Sequence, residues 1–318
     1  MLQIGFDIGG TNIKAGVVHD NMKILCKRSV SFPSDEGYQK VAAILAELVR
    51  DMAKELNRQI SDFQSIGIAA PGSIDAASTM ILNAHNLGFH SVPLKAEMNQ
   101  YFPDTKVYLA NDADAAALAE LCAGAFRGCK TAVLLTLGTG VGGGVILGGR
   151  MFKGGMGHGI ELGHMIIQHG GPLCTCGNRG CMESLCSATA LIREGRKVIE
   201  ENIESMIFKQ TQGDESLVTA KLVLDCAKEG DSAAYDIFEN YVDCLSSAIV
   251  SCMSLLDPEV IALGGGVSLA GEFLFEPLRK LTKMKSFFKV DQKIVPAELG
   301  NDAGFIGAAM LAGNEEKE

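Results

Sequence analysis

The chain has 318 residues, of which 47% are hydrophobic and 21% are charged, and its formal net charge is −10. This length and hydrophobic content can bury a core in one large domain or two smaller ones, which excludes a disordered protein. The acidic balance argues against a nucleic-acid partner, which needs clustered Lys and Arg, and no apolar run is long enough to span a membrane.

The first residues predict a β-hairpin around a glycine turn. Apolar residues alternate from Ile4 to Ile8 before the sequence GGTN, and from Ile13 to Val17 after it. Alternation on both sides of such a turn is typical of two antiparallel strands. Because the chain enters a strand at once rather than a signal peptide, and because it contains ten cysteines, we expect it to work in the reducing cytoplasm.

The next segments predict alternating helices and strands, and then the opening pattern returns. Residues 41–52 have helical spacing, residues 65–72 and 106–112 predict strands, and ADAAALAELCAG predicts a helix. The sequence AVLLTLGTGVGGGVIL (132–147) is again strand, glycine turn and strand. Two such hairpins indicate a duplicated architecture with two related domains facing each other.

The C-terminal half predicts a mostly helical region with one more buried strand. Three helical patterns occupy residues 187–256, and PEVIALGGGV (258–267) is a strand that runs into three glycines. The sequence GFIGAAMLAG predicts a final helix that returns to the first domain.

Three glycine-rich turns follow predicted strands, and they make a nucleotide site a reasonable expectation. They are Gly9-Gly10-Thr11-Asn12, Gly138-Thr139-Gly140 and Gly264-Gly265-Gly266. Glycine lets the backbone approach a phosphate closely, and the N–H groups of a tight turn bind anions. The P-loop sequence is absent, and the G-x-G-x-x-G match that starts at Gly138 is followed by a strand rather than the helix that a dinucleotide site requires.

Two aspartates lie where strands are predicted to end. Asp112 precedes the alanine-rich helix, where it is either an ordinary N-cap or a carboxylate placed to accept a hydroxyl proton. Asp7 precedes the first glycine turn, where it could orient Mg²⁺ directly or through water. Together with the turns, these carboxylates favour phosphoryl transfer from a nucleotide to a hydroxyl group.

One short segment predicts a metal site. His164, Cys174, Cys176 and Cys181 follow the spacing H-x9-C-x-C-x4-C, which suits a structural Zn²⁺ with four protein ligands. Buried thiols without a metal are the alternative, and we prefer it for the other seven cysteines. A metal bound to His164 would also restrict the positions of the nearby residues Glu161 and Glu183. Each of these carboxylates can accept hydrogen bonds from two hydroxyl groups of a sugar.

The motifs DIGGTNIKAG, PGSID, NDADAAALAE, LGTGVGGG, ELGH, CTCGNRGCME and ALGGGV together resemble the ROK (repressor, open reading frame, kinase) family across nearly the whole chain. The resemblance implies an α/β protein with the actin-like ATPase fold, in which two ribonuclease-H-like domains flank a cleft. We expect a small domain of residues 1–112 plus about 298–318 and a large domain of residues 113–297. The resemblance also implies a homodimer or homotetramer.

The same resemblance implies roles for individual residues. Asp112 would be the catalytic base. The sugar contacts would be Asn86, Asn111, Asp112, Glu161, His164 and Glu183. ATP and Mg²⁺ would be bound by Asp7, Gly9, Gly10, Thr11, Asn12, Lys14, Gly138, Thr139, Gly140, Gly264, Gly265 and Gly266. The structural Zn²⁺ would be bound by His164, Cys174, Cys176 and Cys181.

The implied activity is ATP-dependent phosphorylation of a hexose, with glucose and its 6-hydroxyl group as the first expectation. Two departures from the family pattern bear on the sugar: the segment Asn86–Phe89 lacks the tryptophan that many glucokinases of the family carry, and Ile160 stands where a small residue is usual. N-acetylmannosamine, N-acetylglucosamine, allose or fructose therefore remain alternative substrates. A non-catalytic, sugar-sensing regulator is the alternative outside enzymes, although the intact Asp112 and glycine turns argue against it.

Overall fold

The structure is a computed structural model, and it describes residues 1–32, 37–84 and 87–315. Within these ranges, the strands are β1 (Leu2–Ile8), β2 (Asn12–His19), β3 (Ile24–Ser31), β4 (Phe63–Ala70), β5 (Ser73–Ile74), β6 (Ile81–Ala84), β7 (Phe89–Val92), β8 (Lys106–Asn111), β9 (Thr131–Leu137), β10 (Val141–Leu147), β11 (Arg150–Met151), β12 (Val260–Gly264) and β13 (Ile294–Pro296). The α-helices are α1 (Tyr38–Glu55), α2 (Leu94–Tyr101), α3 (Asp112–Ala123), α4 (Met182–Cys186), α5 (Ala188–Glu201), α6 (Met206–Thr211), α7 (Ala220–Lys228), α8 (Ser232–Leu256), α9 (Glu272–Lys285), α10 (Ala303–Ala309) and α11 (Leu311–Glu315).

The first large sheet has the strand order β3-β2-β1-β4-β8. Its strands β1 and β2 are antiparallel, and Ile8 lies opposite Ile13 across the glycine turn, so the predicted hairpin is confirmed. Strand β4 runs parallel to β1 on one side and to β8 on the other. This arrangement brings the ends of β1 and β8, where the two predicted aspartates lie, to the same edge of the sheet.

The second large sheet has the order β11-β10-β9-β12-β13, which repeats the order of the first sheet. Strand β12 runs parallel to β9 and β13, and β11 is antiparallel to β10. In both sheets, the first strand of the hairpin therefore lies next to a parallel strand from later in the chain. The predicted duplication is confirmed by this repeated order. A small third sheet has the order β5-β6-β7.

The contacts divide the chain into two compact units, the first of residues 1–130, 144–160 and 298–318, and the second of residues 131–143 and 161–297. The domain division predicted from the sequence differs from these units because it assigns residues 113–130 and 144–160 to the large domain. Helix α3 belongs to the first unit because α10 packs directly on it: a Cβ on Gly307 would lie 1.7 Å from the carbonyl oxygen of Ala115. The predicted division remains a prediction.

Each unit has its own core. In the first unit, α1 turns one face inward and buries Val41, Leu45 and Met52 completely or almost so, as its helical spacing predicts.

In the second unit, α5 to α8 form four helices over a region where the sequence predicted three. Helix α6 has only six residues, which are too few to show a helical period in the sequence. None of the helices in the described ranges is long and apolar enough to cross a membrane.

Candidate active site

The turn between β1 and β2 presents three exposed residues, Gly10, Thr11 and Asn12, at one end of the first sheet. The turn is closed by the N–H group of Gly9, which donates to the carbonyl oxygen of Asn12 at 2.9 Å. The N–H group of Phe32 donates to the carbonyl oxygen of Thr11 at 3.1 Å and ties the turn to the end of β3. A tight, glycine-containing turn held in this way can present its backbone to a phosphate.

Asp7 and Lys14 lie opposite each other where β1 and β2 approach this turn. Burial raises the pKa of the Asp7 carboxyl group, and the positive charge of Lys14 partly opposes that rise. The ammonium group of Lys14 also donates to the carbonyl oxygen of Asn301 at 3.1 Å, just before α10. The pair therefore offers one carboxylate and one cation beside the glycine turn, as a nucleotide with a bound cation would require.

Asn111 and Asp112 mark the point where β8 ends and α3 begins. Asn111 is the N-cap: its side-chain oxygen accepts from the N–H groups of Ala113 at 2.8 Å and Asp114 at 3.2 Å, and its amide donates to the carbonyl oxygen of Gly72 at 3.0 Å. The sequence left Asp112 as the possible cap, but the structure assigns that role to Asn111. Asp112 is instead the first residue of the helix, and its Oδ1 accepts from the N–H group of Ala113 at 2.8 Å.

A pocket beside Asn111 also contains Lys153 and His158, two polar residues that the sequence did not predict. The pocket is lined by Asn111, Asp114, Lys153 and His158, together with the glycines that flank His158, Gly157 and Gly159. The ammonium group of Lys153 lies 3.4 Å from the hydroxyl oxygen of Ser78. No motif connects these residues, because they come from three separate segments that only the fold brings together.

The turn between β9 and β10 lies against the start of α5. The N–H group of Gly138 donates to the carbonyl oxygen of Gly140 at 3.0 Å. The N–H group of Ala188 donates to the carbonyl oxygen of Gly138 at 2.7 Å, and the hydroxyl group of Thr189 donates to that of Thr139 at 2.6 Å. The predicted second phosphate turn is therefore fixed by the first residues of a helix.

The third glycine turn lies beside the second, at the carboxyl edge of the second sheet. Strands β9 and β12 are parallel, and Gly264 lies opposite Thr136. Gly265 has a φ of +81°, and a Cβ at this position would lie 2.4 Å from the carbonyl oxygen of Leu137. The structure thus brings together the two turns in this unit that the sequence assigned to a nucleotide.

His164, Cys174, Cys176 and Cys181 form a cluster whose potential ligand atoms all lie within 4.8 Å of one another. The sulfur of Cys174 lies 3.5 Å from Nδ1 of His164, and the sulfurs of Cys176 and Cys181 are 3.7 Å apart. Gly177 and Gly180 both have positive φ values, which lets the loop reverse direction tightly enough to bring the thiols together. The cluster can hold a metal ion.

Two thiols of this cluster differ in their acidity. A hydrogen bond with the backbone of Asn178 contributes most to a lowered pKa of the exposed Cys176 thiol. Burial, followed by the neighbouring thiols, raises the pKa of Cys181 to about 12. A cation bound among the sulfurs would supply the positive charge that a buried Cys181 thiolate needs.

The segment Glu161–His164 is attached to strand β10. It forms a single 3₁₀ turn in which the N–H group of His164 donates to the carbonyl oxygen of Glu161 at 3.0 Å. A Cβ on Gly163 would lie 2.0 Å from the carbonyl oxygen of Val141, so no other residue fits this close approach. This contact places His164 for the metal cluster while Glu161 stays exposed.

Glu183 lies near the start of α4 and contacts two different loops. One carboxylate oxygen accepts from the N–H group of Val141 at 3.1 Å. The other accepts from the hydroxyl group of Thr175 at 2.9 Å and lies 3.7 Å from the sulfur of Cys174. Glu183 therefore lies between the metal cluster and the turn that joins β9 to β10.

The predicted sugar contacts are divided between the two units. Asn111 and Asp112 belong to the first, whereas Glu161, His164 and Glu183 belong to the second. Asn86 lies outside the described residues. Asn111 and Asp112 lie where β8 ends and α3 begins, Glu161 and His164 lie at a 3₁₀ turn, and Glu183 lies in α4.

The family model for ROK, described as "ROK family", matches residues 3–315. The chain belongs to the ROK family. A glucokinase from Thermotoga maritima is 37% identical to it over 311 residues, covering 97% of this chain and 96% of the relative. An N-acetylmannosamine kinase from Escherichia coli is 30% identical and covers 99% of this chain and all of the relative.

Solved structures of ROK proteins have the same fold. A ROK hexokinase from Thermus thermophilus has a TM-score of 0.86 and 33% identity, with 100% of this chain and 99% of that chain covered. A ROK glucokinase from Streptomyces griseus, solved with glucose and AMPPNP, has a TM-score of 0.82 and 32% identity, with 98% and 99% covered. The predictions of the ROK family, the actin-like ATPase fold and a sugar kinase are confirmed.

Proposed function

We propose that this ROK protein is an ATP-dependent hexose kinase that converts glucose to glucose 6-phosphate. One observation supports this most strongly: the family match over residues 3–315 extends across a chain in which Asp112 and all three glycine turns occupy ordered strand ends. Phosphoryl transfer depends mainly on positioning and charge stabilisation, and these are what such strand-end turns and carboxylates provide.

Asp112 is the catalytic base in this proposal. Its carboxylate accepts the proton of the sugar 6-hydroxyl group while the hydroxyl oxygen bonds to the γ-phosphorus of ATP. The bond between that phosphorus and the β,γ-bridging oxygen breaks, and ADP leaves. Asn111 takes the N-cap role, and one oxygen of the Asp112 carboxylate accepts from the N–H group of Ala113 at 2.8 Å. General-base catalysis of this kind contributes roughly 10²- to 10⁴-fold to the rate.

The nucleotide is assigned to the three glycine turns and the residues beside them. Gly9, Gly10, Thr11 and Asn12 in the first unit, and Gly138, Thr139 and Gly140 in the second, would contact phosphate groups. Gly264, Gly265 and Gly266 would contact the adenosine. Asp7 would hold Mg²⁺, directly or through water, and Lys14 would supply a cation. When bound, Mg²⁺ neutralises charge on the transferring phosphoryl group.

The sugar is assigned to the polar residues at the strand ends and beside the metal cluster. Asn86, Asn111, Asp112, Glu161, His164 and Glu183 would hydrogen-bond its hydroxyl groups. Asn111 and Glu183 are already fixed by hydrogen bonds within the protein, which reduces the entropy lost on binding. Hydroxyl-rich ligands suit these amide and carboxylate groups.

Zn²⁺ is the metal that best fits the cluster of one imidazole and three thiols. Bonds of about 2.3 Å to sulfur and about 2.0 Å to nitrogen place tetrahedral ligands about 3.8 Å apart for two sulfurs and about 3.5 Å apart for sulfur and nitrogen. Two of the ligand separations, 3.7 Å and 3.5 Å, agree with that geometry, and all four ligand atoms lie within 4.8 Å of one another. With four protein ligands, the ion has a structural role rather than a catalytic one.

N-acetylmannosamine is the second candidate substrate, because a kinase named for that sugar is 30% identical over 99% of this chain. We further propose, from the family resemblance, that the protein is a cytoplasmic homodimer or homotetramer that binds no nucleic acid.

Sugar-dependent ADP release tests the proposal. A coupled assay would compare glucose, N-acetylmannosamine, N-acetylglucosamine, allose and fructose at matched concentrations. The highest kcat/KM is expected with glucose. A higher kcat/KM with N-acetylmannosamine would show that this sugar, rather than glucose, is the preferred substrate. A protein that releases ADP with none of these sugars would be better explained as a non-catalytic regulator.

A further inference from the structure

The carboxylate of Glu183 connects two loops that are far apart in sequence. Its Oε1 accepts from the hydroxyl group of Thr175, which lies between the cluster residues Cys174 and Cys176. Its Oε2 accepts from the N–H group of Val141, the first residue of β10 after the turn that joins β9 to β10. One side chain therefore joins the metal loop to the turn that is assigned to phosphate.

The packing around Gly140 shows how closely the carboxylate fits. A Cβ at this position would lie 2.4 Å from Oε2 of Glu183, so the glycine leaves the space that the carboxylate occupies. If Glu183 rotated toward the space that Thr175 now closes, the Val141 N–H group would lose its acceptor. Besides the bonds from the start of α5, the end of the turn is therefore held by a side chain that the metal loop contacts from the other side.

We propose that Thr175 is a positioning residue that transmits the geometry of the metal loop, through Glu183, to the β9–β10 turn. This inference rests on the proposed function in one respect only, because the proposed function assigns the β9–β10 turn to nucleotide binding. Loss of the Thr175 hydroxyl group, or of the metal, lets the Glu183 carboxylate move. The hydrogen bond that the Val141 N–H group donates to this carboxylate then weakens. The metal loop then affects the nucleotide as well as the sugar.

The competing explanation is that Thr175 is a surface hydroxyl group whose bond to Glu183 has no consequence beyond the loop. Because Thr175 is exposed, a water molecule can partly replace its hydrogen bond to Glu183 when the hydroxyl group is removed. A hydrogen bond of this kind contributes on the order of a 2- to 10-fold change in an equilibrium. The test therefore needs readouts that respond to Val141 and to the nucleotide rather than to stability alone.

The test compares Thr175→Val, which keeps the shape but removes the hydroxyl group, with Thr175→Ser, which keeps the hydroxyl group. Leu173→Ala is the matched control, since Leu173 is an exposed residue of the same loop. Hydrogen exchange at the Val141 amide is measured on the metal-loaded proteins, with zinc content determined for each. The KM for ATP and the KM for glucose are measured in the same preparations.

Thr175→Val is expected to keep its metal, to speed exchange at Val141 and to raise the KM for ATP by about 2- to 10-fold. Thr175→Ser and Leu173→Ala should match the wild type in both readouts. Metal-stripped wild-type protein should show the same faster exchange, and Thr175→Val should add little to it. Unchanged exchange at Val141 in Thr175→Val, or failure of Thr175→Ser to restore it, would overturn the inference.

The exchange measurement also separates this inference from the proposed function. If the protein had no kinase activity, exchange at Val141 would still report whether Thr175 and the metal loop control the turn. If the kinase activity were present and exchange did not respond, only the coupling would be wrong.

Discussion

Replacing Gly265 with alanine should distort the glycine turn that follows β12, whereas replacing Gly266 with alanine should not. Gly265 has a φ of +81° and a ψ of 174°, a region open almost only to glycine. The new Cβ would also lie 2.4 Å from the carbonyl oxygen and 2.7 Å from the nitrogen of Leu137, both of which are backbone atoms that cannot rotate away. Gly266 has no atom within 4 Å of its Cβ position.

The backbone conformation alone costs about 1–3 kcal/mol, and the contact with Leu137 adds to that cost. We therefore expect Gly265→Ala to lower the free energy of unfolding by roughly 3 kcal/mol and to raise the KM for ATP. Gly266→Ala should change stability by less than about 1 kcal/mol, because it removes only the flexibility of glycine. Urea denaturation and steady-state kinetics on both variants provide the measurement. Equal stability and equal KM for the two variants would refute the argument.

Three further predictions concern the metal and Asp7. Cys176→Ser should reduce bound zinc well below one ion per chain, as measured by elemental analysis; full occupancy would remove Cys176 from the ligand set. Removing the metal with a chelator should weaken glucose binding as well as lower the unfolding temperature, because His164 is assigned to both metal and sugar; unchanged glucose affinity would limit the cluster to a structural role. Asp7→Asn should unfold at a higher temperature than the wild type at neutral pH yet lose Mg²⁺-dependent activity, and calorimetry with an activity assay would show both effects.

The stability prediction for Asp7 follows from its raised pKa. Between the ordinary pKa of 3.8 and the raised one, the folded protein binds more protons than the unfolded chain. Stability contributed by this group is therefore lost as the pH rises through that window. Asparagine cannot ionise, so Asp7→Asn should show a flatter dependence of stability on pH; an unchanged profile would mean that burial of Asp7 carries no cost.

The sequence was most informative where local chemistry determines structure. Alternation around GGTN predicted the hairpin of β1 and β2, and the spacing of one histidine and three cysteines predicted a cluster that the structure brings together. Both signals lie within short segments, so no knowledge of distant contacts was needed.

Features that depend on distant contacts were not predictable from the sequence. The pocket residues Lys153 and His158 follow no motif, because their position beside Asn111 depends on the fold. The bonds of Glu183 to Thr175 and Val141 likewise join residues whose spacing carries no recognisable pattern. The N-cap role of Asn111 could not be separated from that of Asp112, since both residue types cap helices well.

Asp112→Asn tests the proposed reaction most directly. The substitution keeps the size of the side chain and the hydrogen-bonding role of Asn111 but removes the proton acceptor. Glucose binding, measured by calorimetry, should stay within a few-fold of the wild type, while kcat should fall by roughly 10²- to 10⁴-fold. A variant with nearly normal kcat would contradict the assignment of Asp112 as the base.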